Sequence, residues 1–250
     1  MYRSLTSSLL AATMLGACAT TPAASTGDVY DPLEPMNRQV FAFNEAADKA
    51  VIGPVASAYE TVTPKFARTG ISNFLSNLRS PVVFVNDVLQ GEGERATQTA
   101  FRFAINTTFG IGGFLDPAEH ELGVPGHRED FGQTLGVWGV SEGPYLVLPL
   151  LGPTNLRDTI GRGADVAFDP LTWTEFDDRD LDNEITTTRS VLGALQGRVA
   201  VDEQLETLRE QPEPYVALRR AYSSQRQAEI RNGREEEDPY TDLPDFDDFE

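Results

Sequence analysis

Residues 63–91 read TPKFARTGISNFLSNLRSPVVFVNDVLQG. Thr63-Pro64 is a helix start, a capping threonine followed by a proline whose missing N–H costs nothing in the first turn. Ile71, Phe74, Leu75 and Leu78 then recur at helical spacing. Ser80-Pro81 repeats the start signal, so the spacing predicts a second helix, carrying Val82, Val85 and Leu89. Gly91 and Gly93 punctuate its end. The same grammar extends outward in both directions. Pro32 and Pro35 precede a stripe of Met36, Val40, Phe43 and Ala47; Ala96, Ala100, Phe103 and Ala104 form another, ending in Gly110-Ile111-Gly112-Gly113. Asp116-Pro117 is a further cap, Leu156, Ile160 and Ala164 follow Thr154, and two or three helices are expected from Asp182 to about Gly233. Repeated helix starts with few alternating runs predict an all-α fold.

Two segments interrupt this pattern. Phe131, Leu135 and Trp138 share a helical face, yet Gly132, Gly136 and Gly139 lie among them. Gly132 and Gly136 at this spacing permit close backbone contact with another helix; a poor helix full of loop glycines is the competing reading. Gly143-Pro144-Tyr145-Leu146-Val147-Leu148-Pro149 is apolar and extended, which suits a short hairpin or an extended arm.

The N-terminus carries a different signal. Arg3 precedes an apolar stretch from Leu9 to Leu15, and Leu15-Gly16-Ala17-Cys18 ends in the only cysteine. That is the form of a lipoprotein signal peptide, with the Cys18 thiol as lipid anchor. The expected organisation is a signal at 1–17, a tether at 18–30, a helical domain at 31–233 and an acidic disordered tail at 234–250. With its one cysteine acylated the chain forms no disulfide. The net charge of -19 argues against nucleic acid as a partner. Past the signal, no apolar run reaches the roughly 20 residues that span a bilayer.

Motifs for chemistry fail on context. Gly139-Val140-Ser141-Glu142-Gly143 spells a nucleophile elbow, but the run before it reads as a glycine-rich helix, and both histidines, His120 and His127, lie upstream. Gly91-Glu92-Gly93 with Ala96 resembles a dinucleotide loop, but Glu92 and Glu94 would repel a pyrophosphate. Asp178, Asp180 and Asp182 open like a calcium loop, but Asn183 and Arg189 stand where glycine and glutamate are needed. His120 and His127 show no partner set for zinc. No catalytic residue, cofactor or metal is therefore expected, and the chain is not read as an enzyme.

Asp31-Pro32-Leu33-Glu34-Pro35-Met36-Asn37-Arg38, followed by Phe41-Ala42-Phe43-Asn44, resembles the opening signature of the MlaA (VacJ) lipoproteins. The resemblance continues through Asn73 to Leu78, Leu89-Gln90-Gly91, Asn106-Thr107-Thr108, Gly110 to Asp116, Glu129 to Gly136, Gly143-Pro144-Tyr145 and Leu148 to Pro153 with Arg157-Asp158. It spans about Asp31 to Asp169. It implies a ring-like bundle of short amphipathic helices lying in the outer membrane of a Gram-negative bacterium, lipid-anchored and facing the periplasm. It also implies phospholipid as substrate, a trimeric porin and a soluble periplasmic carrier as partners, and removal of mislocalised phospholipid from the outer leaflet through an amphipathic channel. Arg38, Arg102 and Arg157 are candidates for a lipid phosphate, which guanidinium binds in a fork; an ion pair inside the protein is the alternative for each. Gly132, Gly136 and Tyr145 are candidates for bordering the lipid route. A scaffold lipoprotein that only tethers other envelope proteins is the other class of function, and a lipid-sized cavity would separate the two.

Overall fold

A computed structural model describes residues 29–174 and 179–232. Cys18, the tether up to Asp28 and the acidic tail lie outside the described residues, as does part of the Asp178–Asp182 stretch.

The chain is mostly helical. Helix α1 spans Glu34–Ala47 and runs through a π-helical segment, Asp48–Ile52, into α2, Gly53–Val62. Helix α3, Lys65–Gln90, is the longest, and α4, Gly93–Phe109, packs back along it. Short helices follow: α5 at Pro117–His120, capped by Asp116, and α6 at Phe131–Val137, capped by Asp130. Strands β1, Tyr145–Leu148, and β2, Gly152–Asn155, pair antiparallel, Tyr145 opposite Asn155. Helix α7, Leu156–Phe168, starts directly from β2, with Asn155 as its cap. Helices α8, Arg179–Ala200, α9, Asp202–Arg209, and α10, Pro214–Arg231, complete the described chain. The all-α reading holds, and the apolar arm is the expected hairpin.

One boundary differs from expectation. Pro81 does not start a helix; it lies inside α3, which continues unbroken from Lys65 to Gln90. A proline there removes the bond to the carbonyl four residues back and costs about 3 kcal/mol. Burial offsets it. Gly70 and Asn77 before the proline and Val82, Val83, Asn86 and Asp87 after it are all buried.

The apolar core is small and lies under the hairpin. Tyr145, Val147 and Tyr215 form it, with Val40, Phe41, Val216 and Tyr222 around them. The Tyr145 ring meets Tyr215 edge-on at 6.2 Å. Among the described residues no strand pairs with the outer edge of β1, and α1 supplies a substitute. Asn37 donates to the Tyr145 carbonyl at 2.9 Å and accepts from the Val147 N–H at 3.0 Å. Two turns on, Asn44 donates to the Leu148 carbonyl at 3.0 Å and accepts from the Leu150 N–H at 2.8 Å. A side-chain amide matches the donor–acceptor pair that a strand edge presents, so two asparagines seven residues apart stitch the hairpin to α1.

Candidate functional site: an apolar exterior around a polar interior

Burial is inverted relative to an ordinary globular domain. Among the described residues, buried polar and charged side chains outnumber buried apolar ones, while large apolar side chains stand in solvent. Helix α7 shows the pattern in one element. Its buried residues are Arg157, Asp158, Gly161 and Asp165; its exposed apolar ones include Leu156, Ile160 and Val166. Helix α3 buries Asn77, Asn86 and Asp87 and exposes Phe66, Phe74, Phe84 and Val88. Helix α4 buries Thr99 and Asn106 and exposes Phe101, Phe103 and Phe109, and the hairpin tip presents Leu150 and Leu151. A typical soluble surface scatters such residues singly. Here Phe66, Phe109 and Ile111 are each at least 70% exposed. Among the described residues, no helix is long and apolar enough to cross a membrane.

The interior is held by ion pairs and amide bonds. Asp158 is its hub. It accepts from Arg157 Nε at 3.0 Å, Arg226 Nε at 2.8 Å, Tyr222 at 2.5 Å and the Asn155 amide at 2.9 Å. Arg226 also grips Asp130 through both terminal nitrogens, at 2.8 and 2.5 Å. Burial is the largest single influence and raises both carboxyls, but the hydrogen bonds and charge of Arg226, joined by Tyr222 at Asp158 and Gln133 at Asp130, together outweigh it and hold both below the usual carboxylate range. Asp165 goes the other way: burial pushes it up, although it accepts from the Phe131 N–H at 3.0 Å and the Asn86 amide at 3.1 Å.

The glycines let the elements meet. A Cβ on Gly161 would lie 2.3 Å from the Gly132 backbone nitrogen, so α6 and α7 touch main chain to main chain. A Cβ on Gly132 would lie 2.6 Å from the Asp158 carboxylate and 2.7 Å from an Arg226 nitrogen. Gly132 is thus a helix contact, as its spacing suggested, although the partner helix contributes a glycine the sequence had not singled out.

The structure gathers Gly132, Gly136 and Arg157 into one cluster. A Cβ on Gly136 would sit 3.1 Å from Arg157 Nη1 and 2.7 Å from Ile230. Tyr145 joins it through Tyr222, ring to ring at 6.1 Å, but is only 1% exposed and faces the core. Arg157 is buried, paired with Asp158, and bonded to the Val140 carbonyl at 3.3 Å. Arg102 lies elsewhere, on Asp116 at 2.6 Å and the Val124 carbonyl. Arg38 is half-exposed, 2.8 Å from Glu34, and stacks 4.6 Å over the Tyr215 ring. All three arginines have carboxylate partners.

One expectation needs correcting here. His127 is not isolated. Its Nε2 lies 2.9 Å from Asp87 Oδ1, and a Glu129 oxygen is close by. The sequence hid this because Asp87 is forty residues away, on α3. The structural roles of Asn37 and Asn44 were also not read, although both lie in the opening signature; an i, i+7 pair of amides facing a hairpin signal was the available clue. Ser141 sits in an irregular segment between α6 and β1, a helix-to-strand order opposite to a nucleophile elbow.

The family model described as MlaA lipoprotein matches residues 29–229. The chain belongs to this family. The intermembrane phospholipid transport system lipoprotein MlaA of Escherichia coli K12 is 36% identical over 232 residues, covering 90% of this chain and 88% of the relative. Its counterpart in Haemophilus influenzae is 32% identical, covering 93% and 92%. A solved structure, concerned with the structural basis for maintenance of bacterial outer membrane lipid asymmetry, superposes with a TM-score of 0.72 at 34% identity. It covers 81% of this chain and all of its own.

Proposed function

We propose that this MlaA-family chain is an outer-membrane lipoprotein that withdraws mislocalised phospholipid from the outer leaflet and passes it toward the periplasm. The observation that carries this reading is the inverted burial. A chain with Phe66, Phe109, Ile111 and Leu151 on its outside and Asp158, Arg226, Asn86 and Asp165 within is suited to apolar surroundings. Short helices can lie in a lipid leaflet without spanning it, and polar groups at membrane depth must be satisfied from within. The Asp158 network does that for its carboxylate and for Arg226, while Arg157 Nη2 makes no hydrogen bond. The names borne by the relatives agree in direction.

In this reading Cys18 carries the lipid anchor, and the lipid path runs beside α6 and the hairpin. Gly132 and Gly136 make that wall thin, and the ion-paired Arg157 and Arg226 make it rigid. The cavity between α7 and α10, about 110 Å³ and lined by Asp130, Asp158, Arg162 and Tyr222, is a pocket within the wall. It is well below the ~300–1,000 Å³ of ordinary ligand sites, too small to be the lipid-sized cavity that would separate transport from scaffolding. A trimeric porin and a soluble lipid carrier are the proposed partners. No nucleotide motif is present in the sequence, so the protein lowers a barrier and its partners supply direction.

The test is outer-leaflet phospholipid in cells with and without the protein, and with Cys18→Ser. Loss of the protein should raise outer-leaflet phospholipid, and Cys18→Ser should leave an unprocessed precursor that fails to restore asymmetry. Unchanged outer-leaflet lipid on deletion would favour the scaffold reading instead.

A further inference from the structure

Residues 121–130 form an irregular strap that crosses α3 and α4 before entering α6. Gln98 and Arg102 of α4 hold its Pro125 and Val124 carbonyls. At its end, His127 and Glu129 turn inward against Asp87 of α3. One ligand atom from each of Asp87, His127 and Glu129 lies within 4.8 Å of the others. Both carboxylates are fully buried, and His127 is 16% exposed on the solvent side.

We propose that Asp87, His127 and Glu129 form a binding site for a divalent transition-metal cation of the zinc type. One imidazole and two carboxylates are a donor set that suits zinc and leaves a fourth position for water. Calcium and magnesium, which prefer oxygen ligands alone, do not use the imidazole. The donors are supported as metal ligands are. Thr99 donates to Asp87 Oδ2 at 2.7 Å and Gln90 to Glu129 Oε2 at 2.8 Å, which fixes both carboxylates while lone pairs remain. Among the described residues, these two buried carboxylates share the guanidinium of Arg95.

The local cation is Arg95 of α4, with one terminal nitrogen 2.5 Å from Glu129 and its Nε 3.8 Å from Asp87. Two carboxylates balance one divalent charge, so Arg95 and a metal compete for the same pair. Arg95 is a quarter exposed and can turn to solvent when the metal binds. The metal would then tie the strap to α3 in a chain whose single cysteine can form no internal disulfide. That cross-link would fix where α6 begins.

The competition makes the test specific. Full-length protein in detergent, stripped with chelator, is titrated with Zn²⁺ by calorimetry, with His120→Gln as control. One equivalent should bind saturably in wild type and in His120→Gln. His127→Gln and Asp87→Asn should each weaken it by about 10- to 100-fold or more, since losing a ligand costs at least as much as losing an outer-shell partner. Arg95→Gln should tighten it, an outcome that a purely structural cluster does not produce. Circular dichroism identifies any variant that fails to fold, and X-ray absorption on the zinc-loaded wild type should show one imidazole among nitrogen and oxygen ligands without depending on a variant. Absence of one-to-one binding in both wild type and Arg95→Gln, or binding untouched in folded His127→Gln, overturns the site.

Discussion

Gly161→Ala tests whether α6 and α7 meet through bare backbone. The added Cβ would lie 2.3 Å from Gly132 N, 2.7 Å from Gly132 Cα and 3.0 Å from the Phe131 carbonyl carbon. Ordinary contact begins at 3.4 Å. All three atoms are main chain, so no side-chain rotation relieves the clash and the helices must separate by roughly an ångström. Overpacking of this kind costs about 1–3 kcal/mol, and a backbone clash belongs at the upper end. Alanine returns up to ~1 kcal/mol as the better helix former, which leaves a net loss of about 2 kcal/mol. For a chain of this size each kcal/mol moves the midpoint by about 2–4 °C, so thermal unfolding followed by circular dichroism in detergent should show a fall of roughly 4–8 °C. Gly163, two residues on in the same helix, is the control, because nothing lies within 4 Å of its added Cβ. Gly163→Ala should raise the midpoint by about 2–4 °C. A Gly161→Ala protein as stable as wild type would refute the backbone contact.

Other perturbations probe other parts of the same architecture. Asn37→Ala strips the Tyr145 carbonyl and Val147 N–H of their partner and should cost about 1–3 kcal/mol for each group left unpaired, read from urea midpoints. Asp158→Asn leaves Arg157 and Arg226 short of a buried partner, and about 3–5 kcal/mol should be lost at neutral pH. Because the folded Asp158 carboxyl sits below its ordinary 3.8, its stabilisation is complete above that value and vanishes as pH falls through the folded one. The gap between wild type and Asp158→Asn should therefore narrow toward pH 3, and a pH-independent gap would contradict the assignment. Gly136→Ala should be tolerated, since the nearest atoms are the ends of Ile230 and Arg157, whereas Gly136→Leu should displace α10 and raise outer-leaflet phospholipid. A folded, inserted Gly136→Leu protein with normal asymmetry would remove α6 from the lipid path.

Local signals in the sequence were readable where one residue decides the geometry. Asp116 caps the helix it precedes, and Gly91 takes the left-handed conformation, φ 78°, at the turn between α3 and α4. The hairpin was legible as an apolar extended run. Pro81 misled because a start signal is local, while the burial that carries α3 through it is spread along the helix. The glycine contact was half legible: Gly132 stood out, but Gly161 is identifiable only once α6 lies on α7. The polar hub was hidden for the same reason. Asp158 gathers residues from α6, β2 and α10, and periodicity in any one of them reports only a stripe, not which way it faces.

That last ambiguity bears on function. An amphipathic helix in water buries its apolar stripe, and periodicity alone does not tell a stripe that faces a core from one that faces lipid. The structure turns much of the α3, α4 and α7 stripes outward, exposing Phe74 of α3, Phe103 of α4 and Ile160 of α7. Buried ion pairs such as Arg226 with Asp130 and Asp158 give little net stability in a water-soluble protein, because desolvation offsets their attraction. In the proposed lipid setting the balance changes. Apolar side chains gain little by leaving acyl chains for a protein core, so the hydrophobic effect no longer drives helices together. Close backbone contact at Gly132 and Gly161, amide stitching by Asn37 and Asn44, and the Asp158 network are the forces that remain. Each holds elements together whether the outer face meets water or lipid. In the proposed function, a ring of helices that must admit phospholipid without coming apart needs cohesion of this kind.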